Sequence, residues 1–179
     1  KVANALVRKY GVFDKVHFEL AREVNTKDEK DRWDKASKDN KKLKDQIVEE
    51  IKNEATVNAK NILKFRLYKE QGEGLCPYCE KPLERAGIFE DGYAQVDHIL
   101  PRSRSAEDSY TNKVLVHSGC NQDKQNRTPF EWFRDDKKDW ARYRLFIETN
   151  FPNMGVKKKR YLTKENFDES SANEFKDRN

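Results

Sequence analysis

The sequence has 179 residues, which is enough for one domain of ordinary size with appendages. Charged residues make up 39% of it and hydrophobic residues 35%, so much of the chain must be solvated helix, linker or polar surface rather than core. The net charge of +5 arises from 37 basic and 32 acidic residues, a mixed surface that permits nucleic-acid binding without requiring it.

No apolar run approaches the length of a membrane span, and no stretch has the pattern of a signal peptide. The sequence therefore predicts a cytoplasmic protein that binds no membrane. The chain begins at Lys1 rather than Met and ends in a charged stretch, so we expect both ends to be cut from a longer protein.

Residues 1–25 contain an alternating apolar and polar run that includes Val16, Phe18, Glu19 and Leu20, which predicts a strand with an acidic residue on its polar face. Residues 26–72 lack proline and glycine as far as Gln71, and their apolar residues recur at mostly helical intervals. We interpret this stretch as a long exposed helix or helix pair serving as an arm, with a coiled-coil partner as the alternative.

The three cysteines fall into one ligand pattern. Cys76 and Cys79 form a tight C-x-x-C turn, and His117 and Cys120 repeat the same two-residue gap. In a chain predicted to be cytoplasmic, this spacing favours a structural Zn²⁺ bound by three thiolates and one imidazole over a disulfide framework. The alternative is a set of reduced cysteines beside a loop histidine.

Between the two halves of this pattern, the segment from Gly87 to Asp91-Gly92 predicts a turn joining two short strands, because Asp-Gly is a favoured hairpin dipeptide. Downstream, Arg102, Arg104 and Lys113 form a basic loop that is either a phosphate contact or merely solvated.

A second candidate metal site lies inside this interval. Asp97 and His98 end a run of strand character that Pro101 closes, and Asn121 follows Gly119 near the predicted cap of a helix. Mg²⁺ prefers hard oxygens and keeps several waters, so the Asp97 carboxylate and the Asn121 amide carbonyl suffice as its protein ligands. The His98 imidazole is then free to act as a general base on water.

Past this site, Thr128 and Pro129 predict an N-cap and the first turn of a helix. The aromatic residues that follow are interpreted as core packing; they are Trp132, Phe133, Trp140, Tyr143 and Phe146. The basic run Lys157–Arg160 is either a phosphate-contacting patch or a solvated linker.

These residues resemble the His-Asn-His (HNH, ββα-metal) nuclease motif, with Asp97-His98 first, Asn112 in the middle and Asn121 in the third position. The resemblance implies that Asp97 and Asn121 hold Mg²⁺ and that His98 is the general base. It also implies that Asn112 ties down the loop, so that His98 points inward.

Longer stretches resemble the HNH region of a type II CRISPR RNA-guided DNA endonuclease, of the type II-C kind. The matching stretches are 16–23, 96–103, 108–116, 121–129 and 175–179. The first resembles the second segment of the family's RuvC nuclease, where the residue matching Glu19 binds metal; Glu19 is expected to be idle without its RuvC partners.

The resemblance implies a monomeric part of a prokaryotic antiviral-defence effector that binds a guide RNA–target DNA heteroduplex and cleaves the target strand. Its other partners would be the RuvC domain and the recognition lobe of the same protein. Two further alternatives are a non-catalytic zinc-stapled nucleic-acid-binding module and a stand-alone HNH restriction-type nuclease. One cleavage comparison, with and without His98→Ala, discriminates a nuclease from a binding module.

The predicted fold is α+β and mostly helical, with a small ββα-metal core, a zinc staple and flanking helices. We predict four segments: a RuvC-like strand in 1–25, a helical arm in 26–72, the nuclease core with its zinc site in 73–150, and a C-terminal linker in 151–179. The resemblance also implies that the insert swings to reach its substrate, and the charge-rich, sparsely apolar segment 26–54 suits an arm that packs weakly.

Overall fold

A computed structural model describes residues 7–11, 15, 26–72 and 74–167. The predicted strand around Glu19 and the C-terminal stretch 175–179 lie outside the described residues. The chain divides into two compact units, Lys1–Asn40 and Lys41–Asn179. Our predicted boundaries at residues 25, 72 and 150 stay predictions.

Two helices occupy the predicted arm, which agrees with the expected helix pair. Helix α1 spans Lys27–Ile51 and helix α2 spans Ala59–Glu70, and the Asn58 side chain caps α2 by accepting a hydrogen bond from the Asn61 backbone N–H. Only the C-terminal end of the apolar stripe is buried, at Ile47 and Ile51. Trp33, within the first unit, is 71% exposed.

The sheet consists of two antiparallel strands, β1 (Ala94–His98) and β2 (Lys113–His117). Asp97 lies opposite Val114, and His98 lies opposite Lys113. The three central residues of β2 are buried, and a slip by one residue would move Lys113 or His117 into a buried position, so the burial pattern favours the observed register. The loop that joins the strands, residues 99–112, returns the chain to the end of β1 that carries His98.

The predicted hairpin around Gly87 is wrong. Gly87–Phe89 is a short 3-10 turn, and the strand partner of β1 comes from β2 instead. The segment folds around the Tyr93 ring, because Glu84 donates its backbone N–H to the Tyr93 hydroxyl and a Cβ at Gly87 would lie 2.8 Å from that ring. This wrapping buries Ile88 and leaves no extended segment to pair.

Five further helices follow α2 in the described part of the chain, and none of the described helices is both long and apolar enough to cross a membrane. The five are α3 (Arg102–Ser105), α4 (Ser118–Lys124), α5 (Pro129–Asp135), α6 (Trp140–Asn150) and α7 (Val156–Leu162). Helix α5 begins with a capping box between Thr128 and Glu131, with Pro129 in its first turn, so the predicted N-cap is confirmed.

The aromatic residues of α5 and α6 pack into the core, as predicted. Trp132, Phe133 and Tyr143 are buried, and the Phe133 and Tyr143 ring centroids are 4.4 Å apart. The described part of the chain is therefore mostly helical with one two-stranded sheet, which confirms the predicted class.

The basic run Lys157–Arg160 lies within helix α7 and is therefore not a solvated linker, whereas phosphate contact by its exposed residues Lys157 and Arg160 stays a prediction. Lys158 is 1% exposed, and its Nζ lies 2.5 Å from a carboxylate oxygen of Glu70 that also accepts the Tyr110 hydroxyl. Burial lowers the pKa of Lys158, and Glu70 offsets part of that shift. This ion pair joins α7 to α2 within the second unit.

Candidate active site and metal centre

Helix α4 packs against strand β1, and side chains of the two elements contact each other in the layer between them. Gln95 accepts a hydrogen bond from the Asn121 side chain at 2.7 Å, and the Asp97 carboxylate lies 3.0 Å from the Lys124 ammonium. Residues two apart in a strand share a face, and residues three apart in a helix share a side. Asp97 and Asn121 therefore project into the same layer between the strand and the helix.

The Asp97 carboxylate is nearly enclosed, with 7% of the residue exposed. One oxygen, Oδ2, accepts the Tyr78 hydroxyl at 2.6 Å and faces Lys124 Nζ at 3.0 Å. Lys124 is 1% exposed and also donates to the His98 backbone carbonyl at 3.1 Å. Burial lowers the pKa of Lys124, while the negative charge of Asp97 opposes that shift. Asp97 and Lys124 therefore form a buried ion pair, and the neutral Tyr78 hydroxyl also donates to the Asp97 carboxylate.

His98 is the last residue of β1, and its side chain is 27% exposed. Its Nε2 lies 2.7 Å from Oδ1 of Asp108, the same oxygen that Lys113 contacts at 2.8 Å. Hydrogen bonds from Lys113 and then from His98 hold the pKa of Asp108 well below its usual range. Within the described part of the chain, Nδ1 of His98 has no hydrogen-bond partner, so this nitrogen is the one left for a water or a substrate.

Asn112 fastens the loop between the strands. The residue is fully buried, and its amide accepts the Leu100 backbone N–H and donates to the carbonyls of Leu100 and Glu107 at 2.8–2.9 Å. Its own backbone carbonyl accepts the N–H of Ile99. These bonds fix the chain just after His98 and just before Asp108, the two ends of the imidazole–carboxylate contact.

The cysteines and His117 converge as the sequence pattern requires. The ligand atoms of Cys76, Cys79, His117 and Cys120 all lie within 4.8 Å of one another, and Cys79 Sγ is 3.3 Å from His117 Nδ1. Hydrogen bonds from the Cys120 and Cys76 thiols lower the pKa of Cys79. Three thiols and an imidazole form the donor set that tetrahedral Zn²⁺ prefers, so this group could hold a metal ion.

The position of Asn121 differs from the prediction. Helix α4 begins at Ser118 with His117 as its N-cap, so Asn121 lies inside the helix rather than near its cap. The helix starts there because the pairing of β2 with β1 ends at His117, and Gly119 is tolerated in the first turn. Glu19 lies outside the described residues.

Sequence reasoning missed four residues of the site, namely Tyr78, Gln95, Asp108 and Lys124. Spacing could have indicated two of them, because Gln95 is two residues from Asp97 and Lys124 is one helical turn from Asn121. Tyr78 and Asp108 reach the site through loops, and their contacts depend on tertiary structure.

Comparisons with known proteins agree with this site. Residues 76–130 match the protein-family model described as HNH endonuclease. The chain is 40% identical over 164 residues to the CRISPR-associated endonuclease Cas9 of Campylobacter jejuni, covering 90% of this chain and 16% of that protein. It is 34% identical over 179 residues to the CRISPR-associated endonuclease Cas9 1 of Streptococcus thermophilus, covering 92% and 16%.

A solved structure of Streptococcus thermophilus Cas9 in complex with the GGAA PAM matches with a TM-score of 0.69 and 32% identity, covering 92% of this chain and 17% of that one. The site and these matches define an HNH endonuclease domain. More particularly, the chain is an HNH domain of the Cas9 family, and it spans 16% of the length of the curated relatives that it matches. The predicted family is confirmed, and the type II-C subtype stays a prediction.

Proposed function

We propose that this domain is a Mg²⁺-dependent DNA endonuclease that hydrolyses the target strand, the strand paired to a guide RNA, within a larger Cas9-type effector. The observation that supports the proposal is that Asp97 and Asn121 project into the layer between β1 and α4, while His98 ends the same strand and its Nδ1 has no hydrogen-bond partner among the described residues. A carboxylate, an amide and an imidazole so arranged suit metal-assisted phosphodiester hydrolysis.

His98 is proposed as the general base. Asp108 on Nε2 favours the tautomer that carries its proton on that nitrogen, which leaves the lone pair of Nδ1 to take a proton from the attacking water. Proton transfer of this kind contributes roughly 10²–10⁴ in rate. Lys113 also contacts the Asp108 carboxylate, so its positive charge partly compensates the negative charge that faces His98 Nε2.

Asp97 and Asn121 are proposed as the protein ligands of the catalytic metal. Their donor atoms are hard oxygens, which fit Mg²⁺, and the Asn121 amide donates to Gln95 through nitrogen, so its carbonyl oxygen is turned away from that bond. Bound Mg²⁺ would stabilise the charge that develops on the scissile phosphate and its leaving oxygen. Lys124 holds the Asp97 carboxylate in the same layer and neutralises it.

The cysteine group is proposed as a structural zinc site. Its ligands come from the Cys76–Cys79 turn, from the end of β2 at His117 and from the first turn of α4 at Cys120. Zinc would thereby join the turn, the strand and the helix on which Asn121 lies, and would supply folding free energy directly.

A guide RNA–target DNA heteroduplex and the remaining domains of the effector are the proposed partners. The relatives are CRISPR-associated endonucleases, and the matched solved structure is a complex with PAM-containing nucleic acid, as its title states. Because phosphate contacts are spread over many basic residues, DNA affinity should depend little on the metal ligands themselves.

The test is Asn121→Ala in the guide-loaded effector that contains this domain, with the exposed neighbour Gln122→Ala as the matched control. We expect Asn121→Ala to abolish cleavage of the target strand while DNA affinity stays within about twofold, and Gln122→Ala to behave as wild type. Full cleavage by Asn121→Ala would remove this residue from the metal site and contradict the proposal.

A further inference from the structure

The Cys76–Cys79 turn carries a residue that reaches beyond the cysteine group. Tyr78 lies between the two cysteines and is buried, and its hydroxyl donates to Asp97 Oδ2 at 2.6 Å. The Cys76–Cys79 turn thus provides two candidate ligands of the cysteine–histidine group. It also provides a hydrogen bond to Asp97, the proposed ligand of the catalytic metal.

The Tyr78 ring is held firmly in place. It packs edge to face against the buried Trp132 ring, with centroids 5.5 Å apart and an interplanar angle of 83°. The turn beneath it is closed by backbone bonds from Cys76 N–H to the Lys81 carbonyl and from Glu80 N–H to the Cys76 carbonyl. A fixed ring on a closed turn transmits displacements of the turn to its hydroxyl.

The Tyr78 side chain connects two candidate sites that lie apart along β1. Ala94 pairs with the zinc-ligand candidate His117, and Asp97 lies three residues further along β1, which is about 10 Å at the usual rise of a strand. Among the described residues, two side chains donate hydrogen bonds to the Asp97 carboxylate, those of Tyr78 and Lys124. Tyr78 alone of these belongs to the cysteine turn.

We propose that Tyr78 is a positioning residue through which the cysteine–histidine group orients the Asp97 carboxylate, so that metal in this group raises the affinity of Asp97 for the catalytic cation. The inference rests on the proposed function, because it takes Asp97 as a cation ligand and the cysteine group as a zinc site. Residues that hydrogen-bond to metal ligands affect metal affinity by about 10- to 100-fold when removed. We expect the lower end here, because Asp97 keeps Lys124.

The experiment uses the guide-loaded effector with Tyr78→Phe, which removes only the hydroxyl, and with Tyr143→Phe as control. Tyr143 is equally buried, and its hydroxyl has no hydrogen-bond partner in the described part of the chain. Mn²⁺ binding is measured by electron paramagnetic resonance, with Asp97→Ala defining the background from other sites. Zinc content is measured by elemental analysis.

Tyr78→Phe is expected to retain wild-type zinc content and to weaken the Asp97-dependent Mn²⁺ binding about tenfold, with Tyr143→Phe unchanged. The Mg²⁺ concentration that half-saturates target-strand cleavage should rise by the same factor, while that for the displaced strand stays constant. Wild-type Mn²⁺ affinity in Tyr78→Phe would overturn the coupling. Unchanged binding in Asp97→Ala would instead overturn the proposed function.

A double-variant comparison tests whether the effect of the cysteine group on Mn²⁺ binding passes through Tyr78. Cys79→Ser should weaken Mn²⁺ binding as well, since it disrupts the turn that carries Tyr78. If the effect passes through Tyr78, the combined variant should lose less than the product of the two single losses. Losses that multiply fully would show that the cysteine group and Tyr78 act independently, and would overturn the proposal.

Discussion

His98 and Asp108 form a 2.7 Å contact between Nε2 and Oδ1, on the side of the ring opposite the nitrogen proposed to act as base. Replacing Asp108 by Asn should lower the rate of target-strand cleavage about tenfold, a part of the roughly 10²–10⁴ that a general base supplies. The reason is that the amide holds the required tautomer less firmly. Single-turnover cleavage measures the loss.

The control is Asp123→Asn, an exposed carboxylate on α4. Lys113 and His98 hold the pKa of Asp108 below its usual range, so Asp108 stays ionised above about pH 4 and contributes no titration of its own between about pH 5 and 8. A wild-type rate in Asp108→Asn would show that the contact does not serve the base.

Lys124→Met should destabilise the protein by about 3–5 kcal/mol, because it leaves the buried Asp97 carboxylate without its counter-charge. Chemical unfolding measures the loss. The matched control is Lys60→Met, which breaks a fully solvated surface pair with Asp91 and should cost far less stability than Lys124→Met. Added Mg²⁺ should stabilise Lys124→Met more than wild type, since the cation can replace the lost charge. Equal losses in the two variants would contradict this account of Lys124.

Asn112→Ala should cost about 2–4 kcal/mol, because it leaves the buried Leu100 N–H and two buried or partly buried carbonyls without their partner. Hydrogen exchange at the Leu100 amide should accelerate in the variant, and cleavage should fall because the loop after His98 is released. The exposed Asn153→Ala serves as control. Unchanged exchange at Leu100 would argue against the bracing role.

Protein purified without added metal should contain about one Zn per chain, and Cys76→Ser should lose both zinc and thermal stability. Elemental analysis and thermal unfolding are the measurements. A chelator should lower the melting temperature of wild type, and added Zn²⁺ should restore it. Absence of zinc from the purified protein, or a melting temperature indifferent to the chelator, would contradict a structural zinc site.

Local signals predicted much of the fold. The stretch 26–71 contains no glycine or proline and forms two helices, and the Thr128-Pro129 pair begins α5 with its capping box. The cysteine group could be predicted because ligand spacing is a property of the sequence itself. The strand pairing could not, since the partner of β1 arrives after a long loop rather than through the Asp91-Gly92 turn.

The interior of the site was harder to predict than its motif. Spacing places Lys124 on the same side of α4 as Asn121, but lysine is rarely buried, so the sequence does not predict its burial against Asp97. The burial of Lys158 could not be predicted for the same reason, because its contact with Glu70 depends on how α7 packs against α2. The sequence motif predicts which residues carry the chemistry, whereas the residues that hold them in place are determined by tertiary packing.

The most direct test of the central claim is strand-resolved cleavage by the guide-loaded effector with and without His98→Ala. The account predicts that the variant leaves the guide-paired strand intact, still cuts the displaced strand and binds target DNA as wild type does. Cleavage of the guide-paired strand at the wild-type rate by His98→Ala would contradict it.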